Sequence, residues 1–186
     1  MTLLKNRKFA IIITVIVVIF ATLFGVGRSL NRLVRNVEKM FFEGVILEDA
    51  GFTQPPVDRH LEVIAQTSLD VSSIFAGHED LSNEAEALMM ARRNLIGART
   101  IPEKYNAYIE IKLAGIHFIT KADSIDLSGR DKESFDSFRS TFEGAVTAIQ
   151  NSEYNVKAKG FMDGASIITY LLKPFVFVSS PQAFDT

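Results

Sequence analysis

The residues able to act on a substrate or hold an ion are few and scattered. His78-Glu79-Asp80, with Glu84 and Glu86 close behind, is the densest group of metal-ligating types. A zinc-like ion needs three or four donors converging at about 2 Å, and consecutive residues of a helix point in different directions. The group therefore reads as a solvated helix face after a glycine. His60 and His117 stand singly and read as core-edge or surface residues. Asp123, Asp126, Asp131 and Glu133 surround Gly129, but Ile125 and Leu127 take the alternating positions that a calcium loop gives to oxygen ligands. Turn and cap duty for the next helix explains those aspartates better. The basic group Arg92, Arg93 and Arg99 is small, offset by neighbouring acids, and reads as a solvated face. No phosphate-cradling glycine loop, nucleophile elbow or zinc-protease motif occurs. The chain has no cysteine, which excludes a thiolate nucleophile, a zinc ribbon and an iron–sulfur site. The expectation is a protein that is not an enzyme, with no catalytic residue, cofactor, metal or evident small-molecule substrate.

The elements that would position any site have to be read from the apolar pattern. The 186 residues suffice for one domain, or for one domain plus an anchor. A net charge of −2 removes a general electrostatic case for nucleic-acid binding. Mean hydropathy of +0.16 is high for a soluble protein, and the apolar excess sits at the front. From Phe9 to Val26 the chain has no charge, and Thr14 and Thr22 are its only clearly polar members. As a helix that stretch spans roughly 27 Å, close to the hydrocarbon thickness of a bilayer. Lys5, Arg7 and Lys8 precede it, and Arg28, Arg32 and Arg35 follow, so both ends carry interfacial charge. The run is too long for the h-region of a cleaved signal peptide. We expect an uncleaved transmembrane helix over residues 9–27, after a basic tail over 1–8, with Phe9, Ile12, Val15, Ile19, Leu23 and Val26 as membrane-anchor residues. Positive charges nearly tie across the helix. Short basic tails more often stay inside, which favours an inner-membrane, single-pass protein with an extracytoplasmic body. That body carries a charge of −5, because all 22 acids but only 17 bases lie beyond residue 27.

Past the membrane the spacing stays helical. Leu30, Leu33, Val34, Val37, Met40 and Phe41 form an amphipathic continuation that should end before Gly51. Leu30, Leu33, Val37 and Phe41 are expected as a surface shared between subunits. Val57, Leu61, Ile64, Ser68, Val71 and Phe75 make a heptad-like seam, expected to continue through Glu84–Arg93 in one helix. Thr100-Ile101-Pro102-Glu103 reads as a capping box opening a third helix, with Tyr105, Ile109, Leu113, Ile116 and Ile119 on its buried face. A fourth helix begins near Asp131, buries Phe135, Phe138, Phe142, Ala145 and Ile149, and is expected to reach Leu172 before Pro174. Strand content should be negligible. The predicted fold is all-α: an N-terminal transmembrane helix continuing into an elongated antiparallel bundle of about four helices over 28–172, then an aromatic tail over 173–186. In that tail Phe175 and Phe177 either pack on the bundle or dock a partner.

Several segments together resemble the LemA family of bacterial membrane-anchored helical proteins. They are Leu30-Asn31-Arg32-Leu33-Val34 after the anchor, Arg59-His60-Leu61, Ala76-Gly77-His78-Glu79, Asp126-Leu127 before Phe135-Asp136-Ser137-Phe138, Glu153-Tyr154-Asn155, and Phe175 to Phe184. Asp58-Arg59 stands where the family has paired basic residues, and the family's proline in the second helix is missing. The resemblance covers nearly the whole chain. It implies a location in the cell envelope and a role through protein contacts. Homo-oligomerisation or a membrane protein partner is expected, alongside the lipid bilayer itself. The alternatives are a ligand-sensing bundle, which would need a cavity between helices, and an accessory subunit of a membrane enzyme or transporter.

Overall fold

The computed structural model describes residues 7–47, 51–172 and 181–184. The first helix, α1 (Arg7–Glu43), runs without interruption across the boundary expected at residue 27. Membrane-like and amphipathic parts are thus one rod, about 55 Å long at 1.5 Å per residue. Neither Gly25 nor Gly27 breaks it, because a lone glycine costs a helix only about 1 kcal/mol. The rod stops at Gly44, whose φ of +80° suits only a residue without Cβ, and whose N–H caps the Met40 carbonyl at 3.1 Å.

A short antiparallel hairpin follows, β1 (Val45–Leu47) with β2 (Phe52–Gln54), in register Val45↔Gln54. Strand content is therefore small rather than negligible. Gln54 explains what the hairpin is for. Its Oε1 accepts the Glu153 N–H at 2.8 Å, capping a helix 99 residues downstream.

The bundle consists of α2 (Val57–Phe75), α3 (Ser82–Gly97), α4 (Ile101–Asp123) and α5 (Gly129–Gln150), running alternately up and down. The all-α class and the bundle of about four helices hold. Two helices expected to be continuous are broken. The second divides at Ala76–Leu81, where the His78 N–H bonds the Phe75 carbonyl and its Nδ1 accepts the Asp80 N–H at 3.3 Å. That folds α3 back against α2. The fourth divides at Asn151-Ser152, and Ser152 Oγ accepts the Asn155 N–H at 3.3 Å to open α6 (Glu153–Leu172).

The seam of α2 is buried as its spacing predicts, as is the phenylalanine face of α5. The capping box of α4 also forms: Glu103 Oε2 accepts the N–H groups of Arg99 and Thr100 at 2.8 and 3.0 Å. The face α4 buries is a different one, however. Tyr108, Ile111, Gly115, Phe118 and Ala122 point inward, while Leu113 and Ile116 are 54% and 44% exposed. An aromatic layer decides this rotation. Phe118 meets Phe138 at 5.5 Å and Phe75 at 5.6 Å, and these rings hold α4 and α5 apart. At Gly115 the Phe142 ring of α5 lies directly against the α4 backbone, where an added Cβ would overlap it.

Candidate functional site

Three regions could carry a function: the exposed apolar half of α1, the junction of α1 with the bundle, and the clefts between bundle helices. The first is set by composition. Ile12, Val15 and Ile19 are 55%, 51% and 52% exposed, and Phe20 and Phe24 are 66% and 80% exposed. Leu23 and Val26 are half-buried, and nothing is described of the Phe9 side chain. Covering so much apolar surface at about 25 cal/mol per Å² is a large driving force, and one helix of this chain is long and apolar enough to cross a membrane.

The second region corrects an expectation. Gly27, Leu30, Val34, Val37 and Phe41 form a buried stripe with alternating spacings of three and four. This is the α1 face packed on α2 and α6. Phe41 is fully covered by the chain itself, with Tyr154 at 5.3 Å and Phe184 at 5.4 Å. Leu30, Val37 and Phe41 are therefore buried within the chain and closed to a second subunit; at Phe41 it is Tyr154 of α6 and Phe184 that take the place expected for a neighbour. Leu33, 51% exposed, is the one residue of that set left free.

The junction is built around Phe184, which lies among Phe41, Tyr105, Tyr108 and Tyr154 with no exposure. Asn155 holds its backbone. The Asn155 amide donates to the carbonyls of Ile149 at 2.7 Å and Phe184 at 3.2 Å, while its Oδ1 accepts the Phe184 N–H at 2.7 Å. Tyr154 donates its phenolic hydrogen to the Gln182 carbonyl at 2.7 Å. A buried asparagine meeting a main-chain N–H and C=O together behaves like a strand partner one residue long. The tyrosine–asparagine pair was visible in the sequence, but its clamp on Pro181–Phe184 was not, since 26 residues separate Asn155 from Pro181. Phe175 and Phe177 lie outside the described residues.

Burial sets the ionisation of this region. The Tyr108 phenol is pushed up to about 12 by desolvation, and its oxygen has no hydrogen-bond partner among the described residues. Tyr154 is raised as well, mainly by burial and then by the Glu38 carboxylate, with the bond to Gln182 opposing. His60 is shifted down by partial burial, which favours its neutral form.

In the third region, clefts of about 410, 290 and 380 Å³ open between helices. The first of these lies beside the α2–α3 turn and includes Ser72, Glu86, Met89 and Arg93, with the Ser72 hydroxyl buried and without a hydrogen-bond partner among the described residues. The second is walled by the Asp58–Lys104 ion pair and by Arg92, which donates to the Ala65 carbonyl at 2.9 Å. The third lies between α4 and α5 and is walled by Ile116, Ile119 and Val146. The acidic groups singled out by sequence do not converge: Asp123 pairs with Arg139, whose guanidinium also lies 4.6 Å from the Phe135 ring centroid. Among the described residues no three His, Asp or Glu side chains gather as a metal site. Comparison with protein-family models, with curated proteins and with solved structures finds no match.

Proposed function

We propose that this chain is a non-enzymatic, single-pass membrane protein that works through protein contacts in a bacterial cell envelope, as its resemblance to the LemA family implies. The observation that carries this reading is α1. One unbroken helix exposes apolar side chains all round over its first half and is clamped by α2 and α6 over its second. Such a rod transmits position from bilayer to bundle without a hinge. The body stands on the extracytoplasmic side of the inner membrane, held there by the short basic tail. Contacts with a second copy or a membrane partner would use apolar side chains that the fold leaves uncovered: Leu33, Leu113, Ile116, and Phe42, Ile46 and Phe52 beside the hairpin.

The test is extraction of membranes at alkaline pH, followed by crosslinking in mild detergent. The full chain should stay with the membrane, residues 28–186 expressed alone should wash off, and a crosslinked neighbour should co-purify. Release of the full chain would refute the anchor, and a monodisperse monomer without neighbours would refute the contact role. A ligand-sensing role is the second reading, favoured by the Ser72 hydroxyl, which has no hydrogen-bond partner among the described residues, in the cleft beside the α2–α3 turn. It predicts that Ser72→Ala abolishes a small-molecule stabilisation seen with the native chain.

A further inference from the structure

Arg28, Arg32 and Arg35 follow one another at spacings of four and three, which puts them on one face of α1. That face lies away from the buried stripe of Leu30, Val34, Val37 and Phe41, and all three arginines are exposed. They make no ion pair or side-chain hydrogen bond among the described residues. Four exposed bases on helices elsewhere do, Lys39 with Glu43, Arg59 with Glu62, Lys132 with Asp136 and Lys157 with Glu153, whereas Arg93, Lys121 and Arg130 stand singly, without an ion pair among the described residues and not in a row. Like charges one turn apart on a helix repel. A row of three therefore calls for a counter-charge from outside the chain.

Height along the rod identifies that counter-charge. Beyond Val26 the three residues stand about 3, 9 and 14 Å out along the helix axis. The headgroup layer of a leaflet is about 5–8 Å thick. Side chains on a helix lean toward its N-terminus, which for α1 is toward the bilayer, and arginine reaches further by snorkelling. Lys39, about 20 Å out, lies beyond that reach and is the one paired within the chain. Glu38, one turn beyond Arg35, is the nearest acid along α1, and the largest concentrations of acid in the body lie far from the stripe. Segments 79–86 and 123–136 together hold nine acids and two bases. Ring contacts from Phe118 to Phe75 and Phe135 place both segments at the end of the bundle opposite Phe41, well beyond a Debye length of about 8 Å.

We propose that Arg28, Arg32 and Arg35 form a binding stripe for the headgroups of anionic phospholipids, selecting the lipid around the anchor and holding the rod upright with its acidic end away from the surface. This rests on the reading of α1 as a membrane anchor. Guanidinium groups suit it, because each can meet two phosphate oxygens at once.

The experiment uses the full chain in vesicles of phosphatidylcholine, with and without phosphatidylglycerol. The phospholipid retained per chain after mild-detergent extraction is counted by mass spectrometry. Native protein should retain phosphatidylglycerol preferentially, by roughly fivefold per arginine, with the preference falling at high salt. Arg28→Gln/Arg32→Gln/Arg35→Gln should lose it, and Arg93→Gln/Arg99→Gln should keep it. An unchanged preference in the triple variant, or none in the native chain, overturns the proposal. So does equal thermal stabilisation by soluble glycerol phosphate, which would assign the stripe to free anions. Alkaline extraction of the same vesicles separates the two readings: a chain that washes off was never anchored, whereas one that stays without lipid preference lacks only the stripe.

Discussion

Tyr108 and Tyr154 sit side by side around Phe184, yet they differ in one respect that decides how each responds to losing its hydroxyl. Tyr154 donates to the Gln182 carbonyl, whereas the buried Tyr108 oxygen has no partner among the described residues. An unmade buried hydrogen bond costs more than a made one contributes. Tyr108→Phe should therefore raise stability by about 1 kcal/mol and Tyr154→Phe should lower it by about the same amount, read from urea unfolding of the full chain in mild detergent. The pH dependence follows the same logic. A phenol whose folded pKa is raised contributes stability that is fully present below its unfolded value, about 10, and is lost as pH rises toward the folded value. For Tyr108 the window runs up to about 12. Tyr108→Phe should accordingly move alkaline unfolding to higher pH. If the native chain and the variant unfold at the same alkaline pH, Tyr108 is not desolvated as described.

Among the elements, α4 shows how packing overrides pattern. Its sequence offers two apolar stripes: Tyr105, Ile109, Leu113, Ile116 and Ile119, or Tyr108, Ile111, Gly115, Phe118 and Ala122. Counting branched aliphatics selects the first, and the fold buries the second. The second stripe holds the one residue, Gly115, that lets the Phe142 ring of α5 approach the helix backbone. Gly115→Ala would gain helix propensity of about 0.5–1 kcal/mol but would push that ring away. A net loss of about 1–2 kcal/mol in thermal unfolding is expected. Adding Phe142→Leu should recover part of the loss, a non-additivity confined to residues in contact. The helix starts were more legible. Thr100 to Glu103 carries its cap within four residues, and local chemistry suffices to recognise it. The breaks at Ala76–Leu81 and Asn151-Ser152 were hidden because each interrupts an otherwise favourable helical run. Local hydrogen bonds of His78 and Ser152 make the two turns, and apolar spacing carries no trace of them.

At the scale of the whole molecule, the last described residues tie the rod to the bundle. Phe184 touches α1, α4 and α6 at once, and Asn155 holds it by both backbone groups. Phe184→Ala should cost about 3–5 kcal/mol, as deletion of a buried ring usually does. The loss should be local in a telling way: amide exchange should quicken along Val34–Phe41 while the α2–α3 pair keeps its protection. Uniform loss of protection would mean that Phe184 merely adds to a single core. Charge is also organised at this scale, with arginines unpaired among the described residues at the foot of the rod and a surplus of acids at the far end of the bundle.

Composition and periodicity by themselves determined that the chain is helical, that its front is apolar enough to cross a bilayer, and where α4 and the phenylalanine face of α5 lie. These follow from local propensity and the period of one helix, which neighbouring residues express without help from distant ones. Only the tertiary structure decided which α4 stripe is buried, that Leu30, Val37 and Phe41 are covered within the chain rather than by a second subunit, and that a tail segment plugs the junction. Each of those outcomes is a competition for the same surface between residues far apart in sequence. Such a competition is settled by which rings fit together, and no spacing along one helix records it.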